Sequence, residues 1–150
     1  MRNLFQTPRI EEVKDRLLRL KPDSPRQWGV MTPTQALAHC SAGLEMAMGR
    51  ICPPRLLIGR ILGRVVKPIA FRDEEPLRRN VATAKELIAP DGLNFETEQR
   101  RLSDAIDRFA AAGPAGCSTH PHFFFGRLTP DEWAVLTYKH LDHHLRQFGV

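Results

Sequence analysis

At 150 residues, 42% apolar and 26% charged, the chain has the size and balance of one folded domain over residues 1–150, which excludes a disordered segment. No apolar run reaches the ~20 residues of a membrane span, and the opening Met1-Arg-Asn-Leu-Phe-Gln-Thr-Pro lacks the apolar stretch of a signal peptide. The net charge of +5 is local: residues 50–79 hold eight basic side chains against three acidic ones while the remainder balances, and the arginines are too dilute, with no aromatic interleaved in the candidate helix there, for a nucleic-acid site. A cytoplasmic protein with no stable membrane association and no nucleic-acid partner is expected.

In chain order, the first helix spans roughly Pro8 to Leu20, with Ile10, Val13, Leu17 and Leu20 on one stripe. Its start, Thr7-Pro8, repeats at Thr32-Pro33 and Thr129-Pro130: a residue that can cap, followed by a proline that suits the first helical position. Gln35 and Glu132 stand three residues after Thr32 and Thr129, so two of the three starts read as capping boxes. The second helix covers roughly Pro33 to Gly49, with Ala36, Leu37, Cys40, Leu44, Ala47 and Met48 inward. Cys40, Cys52 and Cys117 form no C-x-x-C pair, so neither a disulfide framework nor a thiolate zinc site is indicated.

A basic crossover insertion follows at about 50–93. It contains a candidate helix from Arg55 to Val66; Arg60, Arg64 and, just past its end, Lys67 share one side and Ile58, Ile61, Leu62, Val65 and Val66 the other. The expected arrangement is that this helix caps the bundle with its apolar side down. A third long helix, roughly Phe95 to Ala112, repeats Phe95, Leu102, Ile106 and Phe109 and ends at Gly113-Pro114. The fourth runs roughly from Pro130 to Phe148. Short first and last links and one link of more than forty residues predict an all-α four-helix bundle with a long crossover between the second and third long helices.

Placed on a wheel at about 100° per residue, the last helix brings Trp133, Thr137, His140, Leu141, His144 and Phe148 into one arc, with His143 outside it, toward solvent or the helix flank. Two imidazoles at i and i+4 on an apolar face are spaced to grip one metal ion, which would relieve the partner requirement of both rings. A third ligand should come from a facing helix, and the second helix offers only His39, beside the small residues Ala36 and Gly43. Cys40, nearer the centre of that face, reads as core filling, with coordination as the alternative.

The second-helix segment Leu37-Ala38-His39-Cys40 and the final His140-Leu141-Asp142-His143-His144-Leu145-Arg146-Gln147 resemble the DinB-like, YfiT-related superfamily. Arg26-Gln27-Trp28-Gly29, Met31-Thr32, Phe124-Phe125-Gly126, Leu128-Thr129-Pro130-Asp131-Glu132-Trp133 and Tyr138-Lys139-His140 are similar to an uncharacterised bacterial branch of it. The resemblance covers nearly the whole chain. It implies a four-helix bundle with a long crossover and a divalent-metal triad, which by motif position falls on His39, His140 and His144. The branch carries a compact His-Pro-Phe-Phe-Gly, whereas this chain reads His120-Pro121-His122-Phe123-Phe124-Phe125-Gly126. Either His120 or His122 can hold that loop position, as an exposed loop histidine or as a neighbour of the site.

Imidazole ligands call for zinc or nickel, with ferrous iron as the alternative, and disfavour magnesium and calcium. Three ligands leave a position open, as in a catalytic site. The resemblance implies a thiol-dependent transferase or isomerase using a small thiol cofactor, with hydrolysis a further option; the substrate is unassigned. Glu45 and Asp142 point away from the histidine faces, whereas Gln99 and Thr137 face inward and could orient a ligand or a ring. The alternative is a non-enzymatic metal-binding bundle whose basic crossover helix mediates dimer, membrane-surface or partner contacts. A homodimer is expected, because Leu56, Leu57, Ile61 and Leu62 offer more apolar area than one short helix covers.

Overall fold

The computed structural model describes residues 1–71, 76–81 and 83–150. Arg72, Asp73, Glu74 and Glu75 of the basic segment lie outside the described residues. The chain is all-helical: α1 (Thr7–Arg19), α2 (Pro33–Ala47), α3 (Leu57–Ala70), α4 (Phe95–Ala112) and α5 (Pro130–Gln147), with 3-10 turns at Lys85–Leu87 and Pro114–Gly116. No strand occurs among the described residues, and His122 and Gly126 form an isolated bridge.

Both expected capping boxes are formed. Gln35 N–H donates to Thr32 Oγ1 at 3.2 Å while Thr32 N–H donates to Gln35 Oε1 at 2.9 Å. Thr129 and Glu132 exchange the same two bonds at 3.2 and 2.7 Å. The first start differs: Thr7 is itself the first residue of α1, Gln6 occupies the cap position, and no side chain caps the helix. A proline in the first turn suffices there, because its missing N–H is one that a helix start leaves unpaired in any case.

The helices α1 and α2 each pack against both α4 and α5, so the four long helices touch in the cyclic order α1, α4, α2, α5. The core inside this ring holds Val13, Leu17, Leu37, Leu44, Leu102, Ile106, Phe109, Trp133 and Leu141, all at most 2% exposed. These are the stripes read from the sequence, and they meet because each helix has one apolar face to bury. A buried ion pair adds register: Arg16 on α1 donates to Asp142 Oδ1 on α5 at 2.7 Å and to the carbonyl of Val150 at 3.0 Å. Asp142 also accepts from Arg146 Nε at 3.0 Å, so the carboxylate is spent on two guanidinium groups.

The crossover helix reverses the expectation. Its residues Gly59 and Gly63 are buried, whereas Leu57, Ile58, Ile61, Leu62, Val65 and Ile69 are exposed. The apolar stripe faces outward because the glycine face allows a closer approach. A Cβ on Gly59 would stand 2.7 Å from the Phe124 backbone, and one on Gly63 would collide with the Phe124 carbonyl. Further ties hold this face down. Leu56 N–H donates to the Phe123 carbonyl at 3.0 Å, and Lys67 Nζ bonds the Arg127 carbonyl and the Glu132 carboxylate, each at 2.8 Å.

Candidate metal centre

The neighbouring helices α2 and α5 carry the three histidines to one point. His39 comes from the middle of α2, and His140 and His144 come from successive turns of α5. The ring centroids lie 4.7 Å apart for His39 and His140, 4.9 Å for His39 and His144, and 4.9 Å for His140 and His144. One ligand nitrogen from each ring lies within 4.8 Å of the others. Gly43, one turn along α2 from His39, makes the room: a Cβ there would stand 3.0 Å from His140 Nδ1.

Two of the three tautomers are set by the main chain and its neighbours. His39 Nδ1 lies 2.8 Å from the carbonyl of Leu87, which only accepts, so the ring donates through Nδ1 and keeps a lone pair on Nε2. His144 Nδ1 lies 2.8 Å from Gln147 Oε1, and the orientation of that amide follows from Gln147 Nε2 donating to the Trp28 carbonyl at 2.8 Å. His144 therefore also presents Nε2 as a lone pair. This arrangement, in which a ligating ring donates its other N–H to a fixed acceptor, is the outer shell of histidine metal sites.

His140 Nε2 lies 2.9 Å from His39 Nε2. Two lone pairs do not sit so close without something between them: either a proton on His140 Nε2 or a shared cation. A divalent ion bound at about 2.0–2.1 Å from each nitrogen fits that separation, so the triad could hold one. Burial favours the neutral rings that ligation needs. Desolvation lowers His39 despite the opposing bond to Leu87, takes His140 well below the usual imidazole range, and takes His144 down to about 3, with the positive charge of neighbouring rings adding to the last two shifts. His39 is buried, and His140 and His144 are largely buried.

The surroundings correct several expectations. Gln99 does not reach the triad; its amide donates to the Leu17 carbonyl at 2.8 Å and closes the end of α1. Thr137 satisfies its hydroxyl on the Trp133 and Ala134 carbonyls at 2.8 and 3.1 Å, within its own helix. Glu45 is spent on Arg50 and Arg108, so it and Asp142 stay away from the rings, as the wheel indicated. The residue the wheel missed is Gln147. Its spacing of i+3 from His144 was the available signal, since that places an amide one turn from a ring.

His143 lies on the helix flank, half-buried, with Trp28 edge-on at 5.5 Å. His120 is exposed in the loop. His122 is buried and belongs to a separate structure: its Nδ1 accepts the N–H groups of Phe124 and Phe125 at 3.1 and 3.2 Å, and its backbone exchanges two bonds with Gly126. The thiol of Cys40 is fully buried and its acidity strongly suppressed by desolvation, as fits core filling. A cavity beside His144 measures about 10 Å³ and is lined by side chains such as Leu37, Cys40 and Leu141, so it is a packing gap and not a substrate pocket.

No helix among the described residues is long and apolar enough to cross a membrane. Neither a curated protein nor a solved structure matches the chain. Residues 2–149 match the family described as protein of unknown function (DUF1569), and the chain belongs to that family.

Proposed function

We propose that the chain is a divalent-metal-dependent enzyme of DinB-like build, in which His39, His140 and His144 hold a zinc or nickel ion, with ferrous iron as the alternative. The observation that carries this reading is the pair of fixed tautomers: the Leu87 carbonyl and the Gln147 amide leave His39 and His144 with inward Nε2 lone pairs. The cyclic packing of α1, α4, α2 and α5 supports reading these as the four-helix bundle of that superfamily, with α3 riding on the crossover.

The reaction class we favour is a thiol-dependent transfer or isomerisation. A bound divalent ion would supply Lewis acidity, lowering the pKa of a thiol or water in its open position. The chain's own groups favour the thiol. Hydrolysis asks for a base near the attacking water, and the two candidate carboxylates, Glu45 and Asp142, are committed to arginines. A thiol taking the open position would release its proton to solvent, so its ligation needs no such base, only neutral imidazoles: burial keeps the rings uncharged, and Leu87 and Gln147 orient those of His39 and His144.

Metal analysis of protein purified without a histidine tag tests the site, with about one divalent ion per chain expected. A survey of small thiols on the loaded protein, followed by the absorption of a cobalt-substituted sample, tests the chemistry: thiolate ligation should produce a sulfur-to-cobalt charge-transfer band. Stoichiometric metal with no thiol response would leave a metal-binding bundle without the proposed reaction. Absence of metal under every loading condition would remove the enzyme reading.

A further inference from the structure

The outer face of α3 is the part of the molecule that the metal centre leaves unexplained. Leu57, Ile58, Ile61, Leu62, Val65 and Ile69 are each between 44 and 74% exposed, and at about 100° per residue they fall in a single arc. Isolated exposed aliphatic side chains need no explanation, but six contiguous ones on one helix mark a surface that something covers. The helix cannot roll to bury them. Its inward face is set by Gly59 and Gly63 against the Phe124 backbone, and Lys67 pins the far end to Arg127 and Glu132.

Charge decides what the cover is. From Arg50 to Phe71 the chain carries five basic side chains and no acidic one. Three of these are engaged: Arg50 pairs with Glu45, Arg55 donates to the Gly59 carbonyl, and Lys67 is tied as above. Arg60 and Arg64 are exposed and border the apolar arc beside Leu57 and Ile61. A second copy of the chain would bring another set of these arginines against the first, with no acidic residue on the helix to pair with them. The face is also small for self-association, because a stable dimer interface takes ~20–30 residues a side. An anionic lipid surface meets both halves of the pattern. The aliphatic arc enters the boundary between headgroups and acyl chains, while the flanking arginines stay at the depth of the phosphates.

We propose that α3 is a peripheral anchor that seats the protein reversibly on an anionic bilayer, through its outward aliphatic arc together with Arg60 and Arg64. The attachment lies in the plane of the interface and spans nothing, in accord with the absence of a crossing helix among the described residues. The inference is independent of the metal centre, since α3 contributes none of the three histidines.

Co-sedimentation of the full chain tests it, with vesicles of phosphatidylcholine alone and with about 30% phosphatidylglycerol added. Retention is expected on the anionic vesicles, falling sharply from about 0.05 M to about 0.5 M salt, and little on the neutral ones. Arg60→Glu/Arg64→Glu and, separately, Ile58→Ser/Ile61→Ser should each lower the partition coefficient at least about tenfold. All four positions are exposed, so far-UV circular dichroism should show both variants folded. Equal retention on both vesicle types, retention unaffected by either variant, or no retention at all would overturn the proposal. So would sedimentation showing a stable dimer that Ile58→Ser/Ile61→Ser converts to monomer, which would assign the face to a second copy.

Discussion

His39 and His122 are both buried imidazoles with Nδ1 bonded to the main chain, yet the bonds run in opposite directions. His39 Nδ1 donates to the Leu87 carbonyl, so its remaining nitrogen is a lone pair. His122 Nδ1 accepts from Phe124 and Phe125, so its remaining nitrogen carries the proton. The first ring could therefore ligate through Nε2, whereas the second carries its proton there. Residue type and burial do not separate the candidate metal ligand from the structural histidine in this protein; the local main-chain direction does.

The sharpest way to break this comparison is to remove one ring from each cluster. His140→Ala should abolish stoichiometric metal binding, and His122→Ala should leave the metal content of the folded protein unchanged, both read by elemental analysis of loaded samples. Retention of a full complement by the His140→Ala protein would show that the convergence of rings is coincidental.

The converse effect is expected on stability. His122→Ala leaves two loop N–H groups without their acceptor and removes a ring that packs at 4.3 Å on Phe123 and 5.6 Å from Trp133. A loss of about 3 kcal/mol in urea denaturation follows. Because Leu56 bonds the carbonyl of Phe123 and the α3 glycines lie on Phe124, the variant should also loosen α3, seen as faster amide exchange there.

The outer shell should matter by a graded amount. Gln147→Leu removes the acceptor that holds the His144 tautomer and should weaken metal affinity by about 10–100-fold without abolishing it. Competition with a chromophoric chelator measures this. An unchanged affinity would mean that the amide serves only the Trp28 carbonyl.

Acid should expose what both clusters share. His122 and His144 are each lowered to about 3 in the fold by desolvation, His122 further by the nearby Arg55 and His144 by His39. The unfolded chain takes up these protons first, at about 6.5. The stability held in the neutral rings is therefore complete above that pH and is lost as pH falls from about 6.5 toward 3. For His122 alone the loss by pH 5 is on the order of 2 kcal/mol, and His122→Ala should flatten that part of the metal-free stability profile. The smallest effect is expected at His143. Its ring lies on the flank against Trp28, so His143→Ala should leave metal content within error of the unmodified protein, measured side by side with His140→Ala.

Local chemistry was legible where it depends on neighbours in the chain. The capping boxes at Thr32 and Thr129, the apolar stripes of the long helices and the i, i+4 histidine pair all follow from spacing along a helix, and no tertiary contact changes them. His39 could be named as the candidate facing ligand because α2 carries no other histidine. Features that depend on which surfaces meet were not legible. A wheel finds the aliphatic arc of α3 but cannot say that a Gly59 and Gly63 face gets closer to Phe124 and so turns the arc outward. It places Gln99 and Thr137 inward without revealing that nearby carbonyls consume both. The acceptors that fix two rings of the candidate metal centre are the Leu87 carbonyl, distant in sequence, and an amide whose orientation depends on Trp28. Hydrophobic periodicity is a property of one helix, whereas close approach and hydrogen-bond direction are properties of pairs of segments, and only the tertiary structure brings those pairs together.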